Sequence, residues 1–271
     1  NDHYMKLYHI IGINKTSLKI YLLLKKKKFK ATISDIKDIS SIKKKLKITK
    51  FGKDFFFKEH PKKILNDANH IIFSSGVIRN LYNYKNYLKD RKNISEIDLF
   101  FKSSNWPKKN ILFVTGSRGK TSVCKNIFKN LVKEKIFKKI FYLDRNTITF
   151  STLPKYQDGF FLIAEVDYQS LLIAKYVNAK FRIFTNFLKS ENRAFKQQKL
   201  YKYAKLKIFN NLKNKDFVLV NNLTFKKLKS NIKRYQDNIV IFQRKKSTKE
   251  TNDIVTNNFL NLIKKEFSVK N

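Results

Sequence analysis

The chain has a single cysteine, Cys124, in 271 residues. An internal disulfide is therefore impossible, and a reducing cytosol is the expected setting. The four histidines, His3, His9, His60 and His70, all fall within the first 70 positions and lack metal-ligand spacing. With one cysteine, that excludes a structural Cys/His metal cluster. No apolar run reaches the roughly 18 residues a membrane helix requires. The longest, around 20–24 and 160–164, suit a strand or a helix. No secretory pattern opens the sequence, so the expectation is a cytoplasmic protein with no membrane partner. Glycine and proline are scarce, at 6 and 3 residues, which leaves little material for glycine-rich or proline-rich linkers.

Acidic residues are scarce as well: 20 Asp and Glu stand against 60 Lys and Arg, a formal net charge of +40. Such a charge ordinarily points to nucleic acid. Here the lysines are scattered through every segment, with short runs only at 25–28 and 43–45. Asn, Ile, Phe and Tyr are abundant too, and all share A/T-rich codons with Lys. Compositional drift accounts for the pattern, so no specific nucleic-acid partner is expected, only loose, salt-sensitive attraction to polyanions. A hydrophobic fraction of 42% with 25 Phe and 13 Tyr indicates a folded chain. Its length accommodates one large or two ordinary domains.

Strand candidates in the first part are 7–13, with Gly12 near its end, 31–34, followed by Asp35, and 70–73, followed by Ser74-Ser75-Gly76. A helix is expected over 16–25. Polar clusters just past strand ends are where open α/β sheets bind ligands, although ordinary turn chemistry explains each one singly. The segment 103–107, Ser-Ser-Asn-Trp-Pro, reads as a linker. Beyond it the alternation strengthens, with strands expected at 111–114, 140–143, 160–166, 181–186, 217–221 and 239–242. Helical stretches separate several of these. The fold class expected is α/β: a Rossmann-like domain over 1–102, then a doubly wound, mostly parallel sheet domain of P-loop type over 103–271.

The strongest single signal is Thr115-Gly116-Ser117-Arg118-Gly119-Lys120-Thr121-Ser122. It follows the apolar run 111–114 and opens a helix-compatible stretch, 123–133. A strand, a tight glycine turn and a helix N-terminus together cradle phosphate. Backbone N–H groups and the helix dipole face the anion, Lys120 reaches the terminal phosphates, and the Thr121 hydroxyl sits on Mg²⁺. The fuller pattern wants glycine where Val114 stands, and a glycine turn before an ordinary basic helix is the plain alternative. Glu165, at the end of the 160–166 strand, is placed to bind Mg²⁺; alone it would read as an exposed or capped acid.

Taken in order, these motifs resemble the Mur ligases, ATP-dependent amide-forming enzymes of peptidoglycan precursor synthesis. The resemblance covers nearly the whole chain. The loop 115–121 matches the family's phosphate loop, Asn146 falls at its Gly-Asn-Ile-type turn, and Ala164-Glu165-Val166-Asp167 stands where the Mg²⁺-binding Glu is carried. Thr185-Asn186 matches the next strand end. Tyr201-Lys202-Tyr203-Ala204-Lys205 follows the Tyr-x-x-Ala-Lys segment, whose lysine the family carbamylates to order a second Mg²⁺. Thr256-Asn257 resembles the Asn that contacts the adenine nucleotide. In the first domain, Gly12, Thr16, Asp35 and Lys37 fall where the UDP moiety is held, and Ser74-Ser75-Gly76-Val77 and Ser95-Glu96-Ile97-Asp98-Leu99-Phe100 are similar to segments of the D-glutamate-adding branch.

The resemblance therefore implies ATP and Mg²⁺ as cofactors, with UDP-N-acetylmuramoyl-L-alanine and D-glutamate joined through an acyl phosphate. Lys120, Glu165 and Lys205 would carry the catalysis. Gly116 to Ser122 and Asn257 would hold the nucleotide, and Thr16, Asp35, Lys37, Ser75, Gly76 and Asn146 the UDP-sugar. Thr121, Glu165, Glu191 and carbamylated Lys205 would hold metal. Departures accompany it. The family places an Asp-His pair after Asn186, where this chain has Lys189-Ser190-Glu191-Asn192-Arg193, so that Glu191 would supply the metal ligand in place of His. The family's third, amino-acid-binding domain is expected to be missing from these 271 residues: the sequence is a fragment, the gene is truncated, or a separate polypeptide supplies that domain. Two alternatives stay open: a remnant that binds nucleotide or UDP-sugar without turnover, and a basic nucleic-acid-binding NTPase of another P-loop class.

Overall fold

The computed structural model describes residues 6–47, 50–74, 77, 92–144, 150–188, 198–245 and 247–267. The chain divides into two compact units: residues 1–102 with 149–153 and 173–175, and the remainder. Each unit is an all-parallel sheet with helices, the α/β class read from the sequence.

In the first unit, β1 (Leu7–Ile11), β2 (Lys30–Asp35), β3 (Phe55–Phe57), β4 (His70–Phe73) and β5 (Asn93–Ile94) lie in the order β3-β2-β1-β4-β5. Helix α1 (Lys15–Lys26) joins β1 to β2, with Ser17, Ile20 and Leu24 buried on one face at helical spacing. Helices α2 (Ile39–Leu46), α3 (Lys62–Asp67) and α4 (Glu96–Ser103), with a short 3-10 helix at Phe150–Thr152, accompany the sheet. Strand order reverses between β1 and β4, and the loops leaving those two strands meet there. Gly12 has φ 91°, and a Cβ on it would lie 2.2 Å from Ser74 Oγ and 2.5 Å from Val77 Cγ2. Only glycine permits that approach.

His9, fully buried on β1, bonds Thr32 Oγ1 through Nδ1 and Ser34 Oγ through Nε2, both at 2.8 Å. Ser34 Oγ in turn meets His60 Nδ1 at 2.7 Å. Burial, with the charge of His60 second, pushes the His9 pKa down to about 4, so the ring is held neutral.

The second unit contains β6 (Ile111–Thr115), β7 (Lys139–Leu143), β8 (Phe160–Glu165), β9 (Phe181–Phe184), β10 (Phe217–Asn221) and β11 (Ile239–Phe242), ordered β11-β10-β9-β6-β8-β7. Its helices are α5 (Lys120–Glu134), α6 (Tyr168–Ile173), α7 (Gln198–Leu206), α8 (Asn222–Ile232) and α9 (Thr248–Glu266). Every residue of β6 and β9 is buried, as near-continuous apolar runs in a parallel sheet should be. One face of the sheet packs Leu112, Val114, Phe161, Ile163, Phe181 and Ile183 against Val123, Cys124, Ile127 and Leu131 of α5 and Val255, Phe259 and Ile263 of α9. From β6 the chain goes to β7 and β8 on one side and then crosses to β9 and β10 on the other. The C-terminal end of β6, flanked by β8 and β9, is thus the reversal point where such sheets bind ligands. No helix among the described residues is long and apolar enough to cross a membrane.

Candidate functional site at the end of the central strand

The loop 116–119 leaves β6 at this reversal point, and its shape is fixed by the neighbouring strand end. Gly116 has φ 146°, and a Cβ there would sit 1.9 Å from Thr185 Oγ1 and 3.0 Å from Asn186 N. Asn186 brackets the loop: its carbonyl accepts from Ser117 N, its Oδ1 accepts from Arg118 N, both at 3.0 Å, and its Nδ2 donates to Arg118 O at 2.9 Å. Thr185 Oγ1 donates to the same carbonyl at 2.7 Å. Asn221, at the end of β10, donates to Thr185 O and accepts from Thr224 N, fixing the outer wall.

Helix α5 begins at Lys120, with Gly119 as its N-cap and no side-chain cap hydrogen bond. By contrast, Asn14 and Ser17 form a reciprocal capping box at the start of α1. The first-turn N–H groups of α5 thus lack a side-chain cap, and the helix dipole there favours an anion. Lys120 Nζ donates to Gly116 O at 3.0 Å, folded over its own loop. Thr121 and Ser122 are exposed at the helix start.

Glu165, at the end of β8, is 9% exposed. Its Oε2 accepts from Thr121 Oγ1 at 3.1 Å, and its Oε1 accepts from the Tyr142 hydroxyl of β7. Tyr142 is a partner the sequence reading missed, because the pairing of β7 with β8 that places it beside Glu165 leaves no local pattern. Burial, and then the bond to Glu165, push the Tyr142 pKa upward, so its hydroxyl remains a donor. A hydroxyl and a carboxylate oxygen converging beside the phosphate loop are the donors Mg²⁺ prefers, so these residues fit that ion.

Lys205, 2% exposed on α7, reaches the loop from behind. Its Nζ donates to Thr115 Oγ1 and Gly116 O, each at 3.0 Å, and stands 5.7 Å from the centre of the Tyr201 ring. A hydroxyl, a carbonyl and a ring face are electron-rich partners for the unmodified ammonium. Lys120 and Lys205 thus share one carbonyl oxygen, concentrating two cations at the loop. Tyr201 adds a bond between its hydroxyl and Ser117 Oγ at 2.9 Å, another contact with no signal in the sequence.

The remaining expected residues are more dispersed. Asn257 is exposed on α9, whose side-chain contacts with α5 include Asn126 bonded to Asp253 and Thr256 and the Lys264–Glu134 ion pair. In the first unit, Asp35 accepts from Ile13 N at 2.8 Å and Lys37 N at 3.0 Å, a strand-end turn. Thr16 is half-buried on the first turn of α1 and Lys37 is exposed. Ser75, Gly76, Asn146 and Glu191 lie outside the described residues. Among the described residues, no group of three or more His, Cys, Asp or Glu side chains is arranged to hold a metal.

No protein of curated function matches the chain. Among solved structures, it is similar to the UDP-N-acetylmuramate:L-alanyl-gamma-D-glutamyl-meso-diaminopimelate ligase of Neisseria meningitides, at 15% identity and a TM-score of 0.50, covering 88% of this chain and 78% of that one. It is similar to a murein peptide ligase of Psychrobacter arcticus at 14% identity and a TM-score of 0.45, covering 88% and 53%. A third neighbour is a MurF ligase of Thermotoga maritima in complex with ADP, at 15% identity and a TM-score of 0.40, covering 90% and 49%. The chain thus spans about half the length of the latter two. The first of these likenesses is one of fold. The model of the Mur ligase middle domain matches residues 114–269, from the C-terminal end of strand β6 through the phosphate loop to just past helix α9, and on that match the chain belongs to the Mur ligase family.

Proposed function

We propose that this chain is an ATP-dependent amide ligase that adds an amino acid to a UDP-muramoyl substrate, with residues 103–271 binding Mg-ATP and residues 1–102 binding the UDP-sugar. The observation that carries the reading is the conjunction at the end of β6. An uncapped helix start, Lys120 over the glycine loop and the Thr121–Glu165 pair stand within one short arc. In the reaction, the loop N–H groups and Lys120 bind and orient the phosphates, while Lys205 braces the loop from behind and adds to the positive potential there. Glu165, held by Tyr142, presents Oε2 toward Thr121. Mg²⁺ bound there would neutralise charge that develops on the transferred phosphoryl group. The finer assignment, D-glutamate added to UDP-N-acetylmuramoyl-L-alanine, rests on the first-unit segments around Gly12, Asp35, Ser74 and 95–100.

ADP formation by the purified chain tests this with Mg-ATP, UDP-N-acetylmuramoyl-L-alanine and D-glutamate, each omitted in turn. ADP release that requires both the UDP-sugar and D-glutamate is expected. Release supported by another amino acid would keep the ligase and replace the acceptor. Nucleotide binding without ADP release under any combination would replace ligation with binding alone.

A further inference from the structure

Arg182 heads the fully buried side chains of the described residues by volume, and the reading above gives it no role. Its strand, β9, alternates: Phe181 and Ile183 join the core shared with α5 and α9. Arg182 and Phe184 therefore point to the other face, where Phe184 meets the Phe209 ring at 6.1 Å. The guanidinium Nε donates to Ala179 O at 2.8 Å, and one terminal nitrogen donates to both Ile208 O and Asn210 O at 2.6 Å. The other terminal nitrogen has no hydrogen-bond partner and stands 4.0 Å from Asp216, itself 1% exposed. Asp216 is held by Lys108 Nζ at 2.8 Å and Lys213 N at 2.9 Å. Burial lowers the Arg182 pKa to about 10, opposed by Asp216 and Tyr235, so the group stays cationic at neutral pH.

The two carbonyls that share this nitrogen lie in the turn that ends helix α7, where a cation complements the helix dipole and a planar fork fixes direction. Lys205 lies one turn before Ile208 on the same segment, and its ammonium touches Thr115 and Gly116. Tyr201, one turn earlier, touches Ser117. A continuous set of polar contacts therefore runs from Arg182 through α7 to the phosphate loop. We propose that Arg182 is a positioning residue for that loop: by pinning the turn at 208–210, it sets how Lys205 and Tyr201 press on residues 115–117. The proposal rests on the reading of this loop as the nucleotide site.

The test is a double-mutant cycle in the full chain, with Arg182→Lys, Lys205→Met and the double variant titrated with Mg-ADP. Arg182→Lys keeps the charge and removes the fork. It should weaken binding by about tenfold, and the double variant should bind no worse than the weaker single, because both changes act through one contact. Multiplying effects, or unchanged ADP affinity in Arg182→Lys, would overturn the proposal. Hydrogen exchange in nucleotide-free protein supplies a readout that does not depend on ADP. Faster exchange confined to residues 115–119 and α7, with β8 unchanged, supports positioning; uniform acceleration or none contradicts it. If the parent chain bound no ADP, the nucleotide reading would fail, and the exchange pattern would still decide the role of Arg182.

Discussion

Replacing Gly116 with alanine should disable the loop while sparing the fold. The backbone there sits at φ 146°, and the new Cβ would stand 1.9 Å from Thr185 Oγ1, 3.1 Å from Thr185 Cβ and 3.0 Å from Asn186 N. Two costs combine. Holding a residue with a Cβ in a glycine-only conformation costs about 1–3 kcal/mol. Displacing Thr185 breaks its 2.7 Å bond to Arg118 O, worth about 1 kcal/mol. A total near 3 kcal/mol corresponds to roughly a hundredfold loss in affinity if the loop shifts to escape it. Calorimetric titration with Mg-ADP reads that loss, and thermal melting separates a local rearrangement from unfolding. Adding Thr185→Ala removes the oxygen at 1.9 Å and should recover part of the affinity, since the strained φ and the Asn186 contact persist. Binding by Gly116→Ala within twofold of the parent would refute the argument.

Tyr142→Phe removes the hydroxyl that holds Glu165 Oε1 and should raise the Mg²⁺ concentration needed for nucleotide binding by about tenfold; an unchanged Mg²⁺ dependence would show that Glu165 holds its position without Tyr142. His9 is depressed to about 4 in the folded state against 6.5 when unfolded. Its contribution is therefore fully present above about pH 6.5 and is lost as pH falls toward 4, because the unfolded chain takes up the proton first. The loss attributable to His9 is about 3 kcal/mol, and His60 and His70 are shifted in the same direction. Denaturant titrations across that window should show the first unit weakening with acid and the slope flattening in His9→Asn; a flat profile in the parent would contradict this. Cys124, fully buried with its thiol pushed well up in pKa by burial, should resist thiol reagents until denaturant is added, and rapid labelling of the native chain would contradict that burial.

The parts of this architecture legible in the sequence were those written locally. The apolar run ending at Val114, the glycine turn and the spacing of Val123, Ile127 and Leu131 together announce a strand, a phosphate loop and a helix. The same is true of β8 with Glu165 at its end. Short strands without alternation, Phe55–Phe57 and Asn93–Ile94, carried no such mark. Contacts set by strand pairing were also hidden. His9 and His60 meet only because β1 and β2 bring Ser34 between them, and Tyr142 meets Glu165 only through the β7–β8 register. Arg182 was lost for another reason: in a chain with 60 basic residues, one more looks like solvated surface. Its burial follows from its place on the central sheet, where Phe181 and Ile183 already claim the opposite face.

The most direct test of the nucleotide site is a calorimetric titration of the chain with ADP, with and without Mg²⁺, beside the Lys120→Ala and Thr121→Ala variants. Binding that strengthens with Mg²⁺, collapses in Lys120→Ala and loses its Mg²⁺ dependence in Thr121→Ala is the predicted result. No ADP binding, or binding indifferent to both substitutions, would contradict the assignment of this loop as the phosphate site.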